Sequence, residues 1–338
     1  MTKLHLINRA VLPLRADLLV AGAHCALATN SQQLVNALSK WNSGSVPRSE
    51  RTFDLDVLVD PELSHAADFK TQTHFRGLHH LVFATIGSHE VFAFDLARRR
   101  VTGAVSAVTA QDADFWISHW LPITIGVMGT TIGVIPLHSA CLDRDGRGLL
   151  LAGVSGAGKS TLSVALARRG FSLVSDDWTY ITREDHASAG ASAARNGGST
   201  QLTAHGLSAP VKLLPDAANH FPELSARTPK MWFNGELAFE LRAEEITHAP
   251  VKTVSHPHWL FFLERTATSG CDFNPVSAAD IREFFETGAE RLPACLPATT
   301  AARSRTIDAL ANCRAWRVRS GETPSATAQA VAHFCEKN

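Results

Sequence analysis

Residues 153–161 read Gly153-Val154-Ser155-Gly156-Ala157-Gly158-Lys159-Ser160-Thr161, the G-x-x-x-x-G-K-[ST] spacing of a phosphate-binding loop (Walker A). The flanks agree with the motif. The apolar run Leu149-Leu150-Leu151-Ala152 leads in as a buried strand, and Leu162–Arg169 leads out as a helix that stops at Gly170. In such a turn the glycines let backbone N–H groups point at phosphate oxygens, and the helix N-terminus adds its positive end. Lys159 is placed to reach the β- and γ-phosphates, and the Ser160 hydroxyl to ligate Mg²⁺. The competing reading is a glycine-rich strand–helix turn without a ligand.

Composition excludes several other classes. Lys+Arg and Asp+Glu both number 32, so the net charge is zero, whereas nucleic-acid binders usually carry a basic excess. Arg98-Arg99-Arg100 is a local basic run and reads as a solvated strand end. The six cysteines are scattered without C-x-x-C spacing, which reads as reduced thiols rather than a disulfide framework or zinc site. Met1–Leu6 is not followed by a signal-type apolar region. No apolar run approaches the ~20 residues of a membrane span, so the expected location is cytoplasmic, away from any membrane. Leu121–Pro136 is apolar but broken by Pro122 and by interspersed glycine and threonine, and it reads as sheet.

At 338 residues the chain is long enough for two domains. Residues 1–120 read as a smaller mixed α+β domain. Within it, Asn30–Trp41 is a helix with apolar Leu34, Val35 and Leu38. Phe53–Val59 is a strand with one polar face. Phe75–Ile86 and Glu90–Asp95 are two further strands around Gly87-Ser88-His89. His74, His79 and His80 lie close together there but lack the partner set of a zinc site. Residues 121–338 follow the order strand, strand, phosphate loop, helix, strand, which opens an α/β fold. Glu184–Thr200, rich in Ala, Ser, Gly and Asn, reads as a loop. Glu236–Leu241, Trp259–Glu264 and Arg314–Arg319 read as strands, and Ala278–Phe285 and Ser325–Cys335 as helices.

A phosphate loop alone does not name a reaction, and two further features narrow it. The strand Phe171–Ser175 ends in Asp176-Asp177, and Asp176 lies 17 positions after Lys159. Carboxylates at that strand tip sit beside the metal and the γ-phosphate in this class of fold. One can hold Mg²⁺ while the other accepts a proton from an attacking hydroxyl. The alternative is a pair that does metal work only, in an ATPase. His138 ends the apolar strand Gly133–Leu137, 21 positions before Lys159. Alone it reads more often as a structural histidine.

Together these segments resemble the catalytic domain of HPr kinase/phosphorylase, a bacterial family of protein-serine kinases. That family shows a histidine, a strand–turn–strand, a G-x-S-G-x-G-K-S loop, a helix ending in Arg-Gly and a strand ending in Asp-Asp. This chain reads His138-Ser139-Ala140-Cys141-Leu142-Asp143, then Gly153 to Ser160, then Arg169-Gly170, then Leu173-Val174-Ser175-Asp176-Asp177, about 40 residues in all. The resemblance implies the α/β P-loop kinase fold shared with phosphoenolpyruvate carboxykinase, with ATP and Mg²⁺ as cofactors. By the same resemblance residues 153–161 bind the nucleotide and Lys159 its phosphates. Asp176 is the base for the acceptor hydroxyl, Asp177 and His138 support it, and Ser160 with Asp177 holds the metal. The acceptor is a hydroxyl on a protein or peptide, with a small metabolite as second choice. A homo-oligomer is compatible with the sequence.

The chain departs from the family in three places. Ser139 stands where glycine is usual, Thr161 stands where an acidic residue is usual, and the downstream arginine-glycine signature of the phosphorylase activity is not visible. Arg242, Arg265 and Lys230 are candidates for the missing phosphate-side cation. HPr itself is not the expected substrate, and the chain is expected to be a one-way kinase.

Overall fold

The computed structural model describes residues 9–39, 50–63, 73–86, 90–184, 201–207, 209–232, 235–247, 249–267, 269–287 and 297–338. The chain forms two compact units. One is Met1–Val134 with Met231–Leu237 and Glu290–Arg303. The other is Ile135–Lys230 with Ala238–Ala289 and Ser304–Asn338. The main division therefore follows Val134, whereas the sequence reading divides the chain after residue 120.

The first unit is built on a seven-stranded sheet. Its strands are β1 (Leu14–Val20), β2 (Ala23–Thr29), β3 (Thr52–Val59), β4 (His74–Leu78), β5 (Leu81–Ile86), β6 (Glu90–Asp95) and β7 (Arg100–Val105), in the order β1-β2-β3-β7-β6-β5-β4. The helix α1 (Gln32–Ser39) follows β2, and residues 40–49 lie outside the described part. Three sequence expectations change here. Phe75–Ile86 is a hairpin of two strands rather than one, because His79 takes a left-handed φ of 54° between β4 and β5. The polar face of β3 is not all solvated. Asp56 is fully buried, and Arg9 Nε (3.0 Å) and Arg100 Nε (2.5 Å) donate to its two oxygens.

The third change is at Leu121–Met128, which is a helix rather than sheet. It follows two short helices, α2 (Ala107–Gln111) and α3 (Ala113–Phe115), and is labelled α4. Pro122 lies near its start, just after a π-helical turn, Trp116–Trp120, that runs directly into it. Leu121, Ile125, Val127 and Met128 are all buried, so the segment has no amphipathic period to betray it. Among the described residues no helix is long and apolar enough to cross a membrane.

The second unit holds a nine-stranded sheet: β8 (Val134–Leu137), β9 (Ala140–Arg144), β10 (Arg147–Ala152), β11 (Ser172–Ser175), β12 (Thr179–Glu184), β13 (Gln201–His205), β17 (Val254–Arg265), β18 (Cys271–Pro275) and β19 (Arg314–Ser320). The short strands β14 (Val211–Leu213), β15 (Lys230–Met231) and β16 (Leu237–Leu241) lie between β13 and β17 in the chain, and β14 pairs antiparallel with β16. The reading of Glu184–Thr200 as a loop falls, beyond Glu184, outside the described residues.

The central feature of this sheet is a parallel trio, β10 beside β17 beside β19. The hairpin β9–β10 turns through Asp145-Gly146 with φ of 55° and 83°, a two-residue turn that feeds β10 directly toward the phosphate loop. The remaining helices are α5 (Lys159–Ala167), α6 (Ala243–Ile246), α7 (Ala278–Thr287), α8 (Pro297–Leu310) and α9 (Pro324–Lys337). Side chains of α5 and α9 join those of the sheet in one core that includes Leu149, Leu151, Leu166, Phe171, Trp259, Phe261 and Val331. Burial of these side chains supplies the apolar driving force that holds the start of α5 against the end of β10.

Candidate active site

The loop 153–161 joins the end of β10 to α5, as its motif requires. Gly158 caps α5 with φ 94° and ψ 21°, a left-handed geometry that a side chain would strain. The Lys159 side chain is buried and folds back over the loop, with Nζ 2.9 Å from Gly153 O and 3.4 Å from Val154 O. Those carbonyls hold the ammonium where phosphate oxygens would replace them. Burial lowers the Lys159 pKa, and the charges of Asp177 and Asp176 oppose that.

The two aspartates lie at the tip of β11, in different environments. Asp176 is buried at 8% exposure, and its Oδ1 has no hydrogen-bond partner among the described residues. Its carboxylate accepts from the Ser160 hydroxyl and from the Lys212 backbone N–H. Burial first, and then the Asp177 charge, push its pKa up to about 7. Asp177 is half exposed, and His138 Nε2 lies 3.1 Å from its Oδ1. Burial pushes Asp177 upward. The His138 hydrogen bond and charge, with Lys212 and Lys159, outweigh it and hold Asp177 below the usual carboxylate range.

His138 reaches this point from another strand, at the end of β8. Its ring stacks on Trp178, with centroids 5.5 Å apart and planes at 24°. Hydroxyls tie the two segments together. Thr179 Oγ1 donates to Ser139 O at 2.7 Å and lies 2.6 Å from Ser175 Oγ. The turn carrying His138 is thereby fastened to the turn carrying Asp177. A further constraint comes from Gly206. A Cβ there would lie 1.7 Å from Val174 O, so only glycine lets the chain after β13 run against β11 at this point.

The residues singled out in the sequence lie near one another in the structure, but their pairing differs. The sequence reading joins Ser160 to Asp177 as a metal pair; in the structure Ser160 bonds to Asp176, and Asp177 pairs with His138. It also passes over Lys212, on β14, whose charge acts on both carboxylates. Of its three candidate cations, Lys230 is ion-paired with Glu240 at 3.1 Å and Arg242 precedes the short helix α6. Arg265 lies against the loop, its Nη2 3.3 Å from where a Gly158 Cβ would stand.

Comparison with known proteins bears on the same segment. Residues 133–203 match the profile of the HPr Serine kinase C-terminal domain, and this stretch contains His138, the whole phosphate loop and both aspartates. This segment belongs to the HPr kinase-related family. The chain is 44% identical over 52 residues to HPr kinase/phosphorylase of Listeria welshimeri serovar 6b, and equally to that of Listeria monocytogenes serotype 4a. These matches cover 15% of this chain and 17% of each relative's length. The solved HPr(Ser) kinase/phosphatase of Coxiella burnetii aligns over 60% of this chain and 91% of its own, at 13% identity and a TM-score of 0.32. Lys212 and Arg265 lie beyond the HPr kinase-related segment.

Proposed function

We propose that the chain is an ATP- and Mg²⁺-dependent kinase that transfers the γ-phosphate to a hydroxyl, on serine of a protein or peptide. The observation that carries this reading is the pairing of an accessible Asp177–His138 dyad with a buried Asp176 beside the phosphate loop. An ATPase needs the second arrangement. The first adds a carboxylate open to an incoming acceptor and held by a histidine at 3.1 Å.

The residues present fit a divalent cation. The unpartnered, buried Oδ1 of Asp176 and the adjacent Ser160 hydroxyl are hard oxygen donors of the type Mg²⁺ takes, with phosphate oxygens and waters completing its shell. When bound, the cation neutralises charge that builds on the transferring phosphoryl group. On this reading Ser160 and Asp176 hold the metal, which exchanges the metal role assigned to Asp177 in the sequence reading.

The chain's own groups do the rest. Residues 153–161 cradle the phosphates by their backbone N–H groups, and Lys159 leaves the Gly153 carbonyl to meet the β- and γ-oxygens. The acceptor oxygen forms a bond to the γ-phosphorus as the bond to the bridging β,γ-oxygen breaks, leaving ADP. The hydroxyl proton passes to the Asp177 carboxylate, which His138 orients. Lys212 lies close enough to both aspartates to balance the negative charge gathered there. Because catalysis of phosphoryl transfer is chiefly positioning and electrostatics, these roles suffice without a covalent intermediate.

The test is acceptor dependence. The purified protein with Mg²⁺ and ATP should form ADP slowly, and faster when a heat-treated cell extract supplies the acceptor, with phosphate appearing as an ester on an extract component. Rapid hydrolysis to free phosphate, unchanged by extract, would favour an ATPase and remove the kinase reading.

A further inference from the structure

The seven-stranded sheet of the first unit ends at β4, which pairs with β5 on one side and with no strand on the other among the described residues. All five of its residues, His74, Phe75, Arg76, Gly77 and Leu78, are exposed. The strand at the opposite edge, β1, differs, because Leu18 and Val20 are buried. An exposed edge presents a row of unused N–H and C=O groups, and folded proteins usually blunt it with proline, lysine, a bulge or a covering element. β4 contains no proline or lysine, and its register with β5 runs unbroken from His74↔Thr85 to Leu78↔Leu81.

The backbone shows which groups are open. The two-residue turn His79-His80 closes on the pair Leu78↔Leu81. Such a closing pair is hydrogen-bonded, and bonded and non-bonded pairs alternate along an antiparallel ladder. His74, Arg76 and Leu78 therefore direct their backbone groups to β5, and Phe75 and Gly77 turn theirs to the open edge. Side chains alternate between the two faces in the same way. On one face Arg76 stands across from Phe83 and His74 across from Thr85. Phe75 lies on the other face, next to the bare backbone of Gly77.

Charge decides what fits this edge. Residues 73–86 contain one arginine, three histidines and no acid. On the face that carries Arg76, Asp95 of β6 is already engaged by Arg98 at 3.2 Å and by His80 at 3.9 Å. Arg76 itself makes no ion pair among the described residues. A second copy of this chain is a poor occupant, because antiparallel pairing centred on β4 sets Arg76 opposite its own copy.

We propose that the open edge of β4 binds an extended, acidic segment of a partner protein, which joins the seven-stranded sheet as a further strand. Its backbone bonds to Phe75 and Gly77, and its carboxylates line up with Arg76. Its alternate, apolar side chains pack on Phe75 and fill the space left by Gly77. The surface belongs to the first unit, so the proposal goes beyond the kinase reading and does not depend on it.

The probe is a fluorescent peptide of about ten residues that alternates valine and glutamate, with a twin that carries lysine in place of glutamate. Binding is measured by anisotropy on the full chain. The glutamate peptide should bind roughly fivefold or more tightly than the lysine peptide, and more weakly as salt is raised. Arg76→Glu, a surface change, should reverse that preference. Gly77→Pro, at a position whose N–H faces the open edge, should keep the circular dichroism of the wild type and abolish binding of the glutamate peptide. If Gly77→Pro does not fold, the reversal by Arg76→Glu decides. Equal affinity for the two peptides, a preference that Arg76→Glu leaves unchanged, or no binding of the glutamate peptide up to about 1 mM would overturn the proposal. So would a wild-type dimer in sedimentation that Gly77→Pro renders monomeric, since a second copy would then be the occupant.

Discussion

Replacing Asp176 with asparagine should make the ligand-free protein more stable, and only above a defined pH. Burial and the neighbouring Asp177 raise the folded-state pKa from 3.8 to about 7. Between those values the unfolded carboxyl has lost its proton while the folded one keeps it, so the native state binds more protons and stability falls as pH rises. At about 1.4 kcal/mol per pH unit, the full interval is worth up to about 4 kcal/mol, lost by pH 7 and constant above it. The amide of Asp176→Asn carries no such term. The variant should match wild type near pH 4, exceed it progressively up to about pH 7, and keep a constant margin from there to pH 8. Asp177 does not confuse the assay. Its folded pKa is lowered, so its contribution is present above 3.8 and is lost only as pH falls through the folded value. Urea titrations of both proteins from pH 4 to 8, without nucleotide or divalent cation, read the difference directly. A constant offset between the two curves across that range would refute the assignment of Asp176 as a strained, buried carboxyl. The strain has a functional reading. A cation that takes the ionised carboxylate should bind more tightly as pH rises through the same window, releasing protons as it does.

Other outcomes follow from the same geometry. Asp177→Asn should retain Mg·ATP affinity and lose roughly 10²–10⁴-fold in transfer, measured as single-turnover product formation; loss of ATP binding instead would place Asp177 with the metal. Gly206→Ala should destabilise the protein by about 1–3 kcal/mol, because a Cβ has no room beside Val174 O; an unchanged urea midpoint would mean the contact yields freely. Phosphorylated product incubated with enzyme, Mg²⁺ and excess inorganic phosphate should release no pyrophosphate. Its appearance would show that Arg265 or Lys212 replaces the absent arginine-glycine signature.

Much of the site was legible because its parts are local. The loop from Gly153 to Thr161 is dictated by closely spaced glycines between an apolar strand and a helix, so its geometry is written in nine consecutive residues. The strand ending in Asp176-Asp177 is likewise local. His138 is different: only its spacing from Lys159 in a family pattern suggested that it would reach the aspartates, and the expected partner was Asp176, whereas the ring pairs with Asp177. Which aspartate meets which partner was not legible. Successive residues leaving a strand point in different directions, and the strand that carries them packs against chain as distant as Gly206. Lys212 was missed for a related reason. It stands in Val211-Lys212-Leu213, a short strand without a motif, and reaches the site by tertiary packing alone. The fold errors have equally specific causes. Leu121–Met128 lacks a polar face, so a buried helix reads as sheet, and the β4–β5 turn uses His79 in place of the glycine or asparagine that announces such turns.

The most direct test of the kinase reading follows the γ-phosphate. The protein and Lys159→Ala, each shown to be folded by circular dichroism, are incubated with Mg²⁺ and γ-labelled ATP in a heat-treated extract, and the label is traced by mass spectrometry. The account predicts label esterified to a hydroxyl with the wild type and none with Lys159→Ala, because the β- and γ-oxygens lose their cation. Label found only as free phosphate, or equal esterification by a folded Lys159→Ala protein, would contradict it.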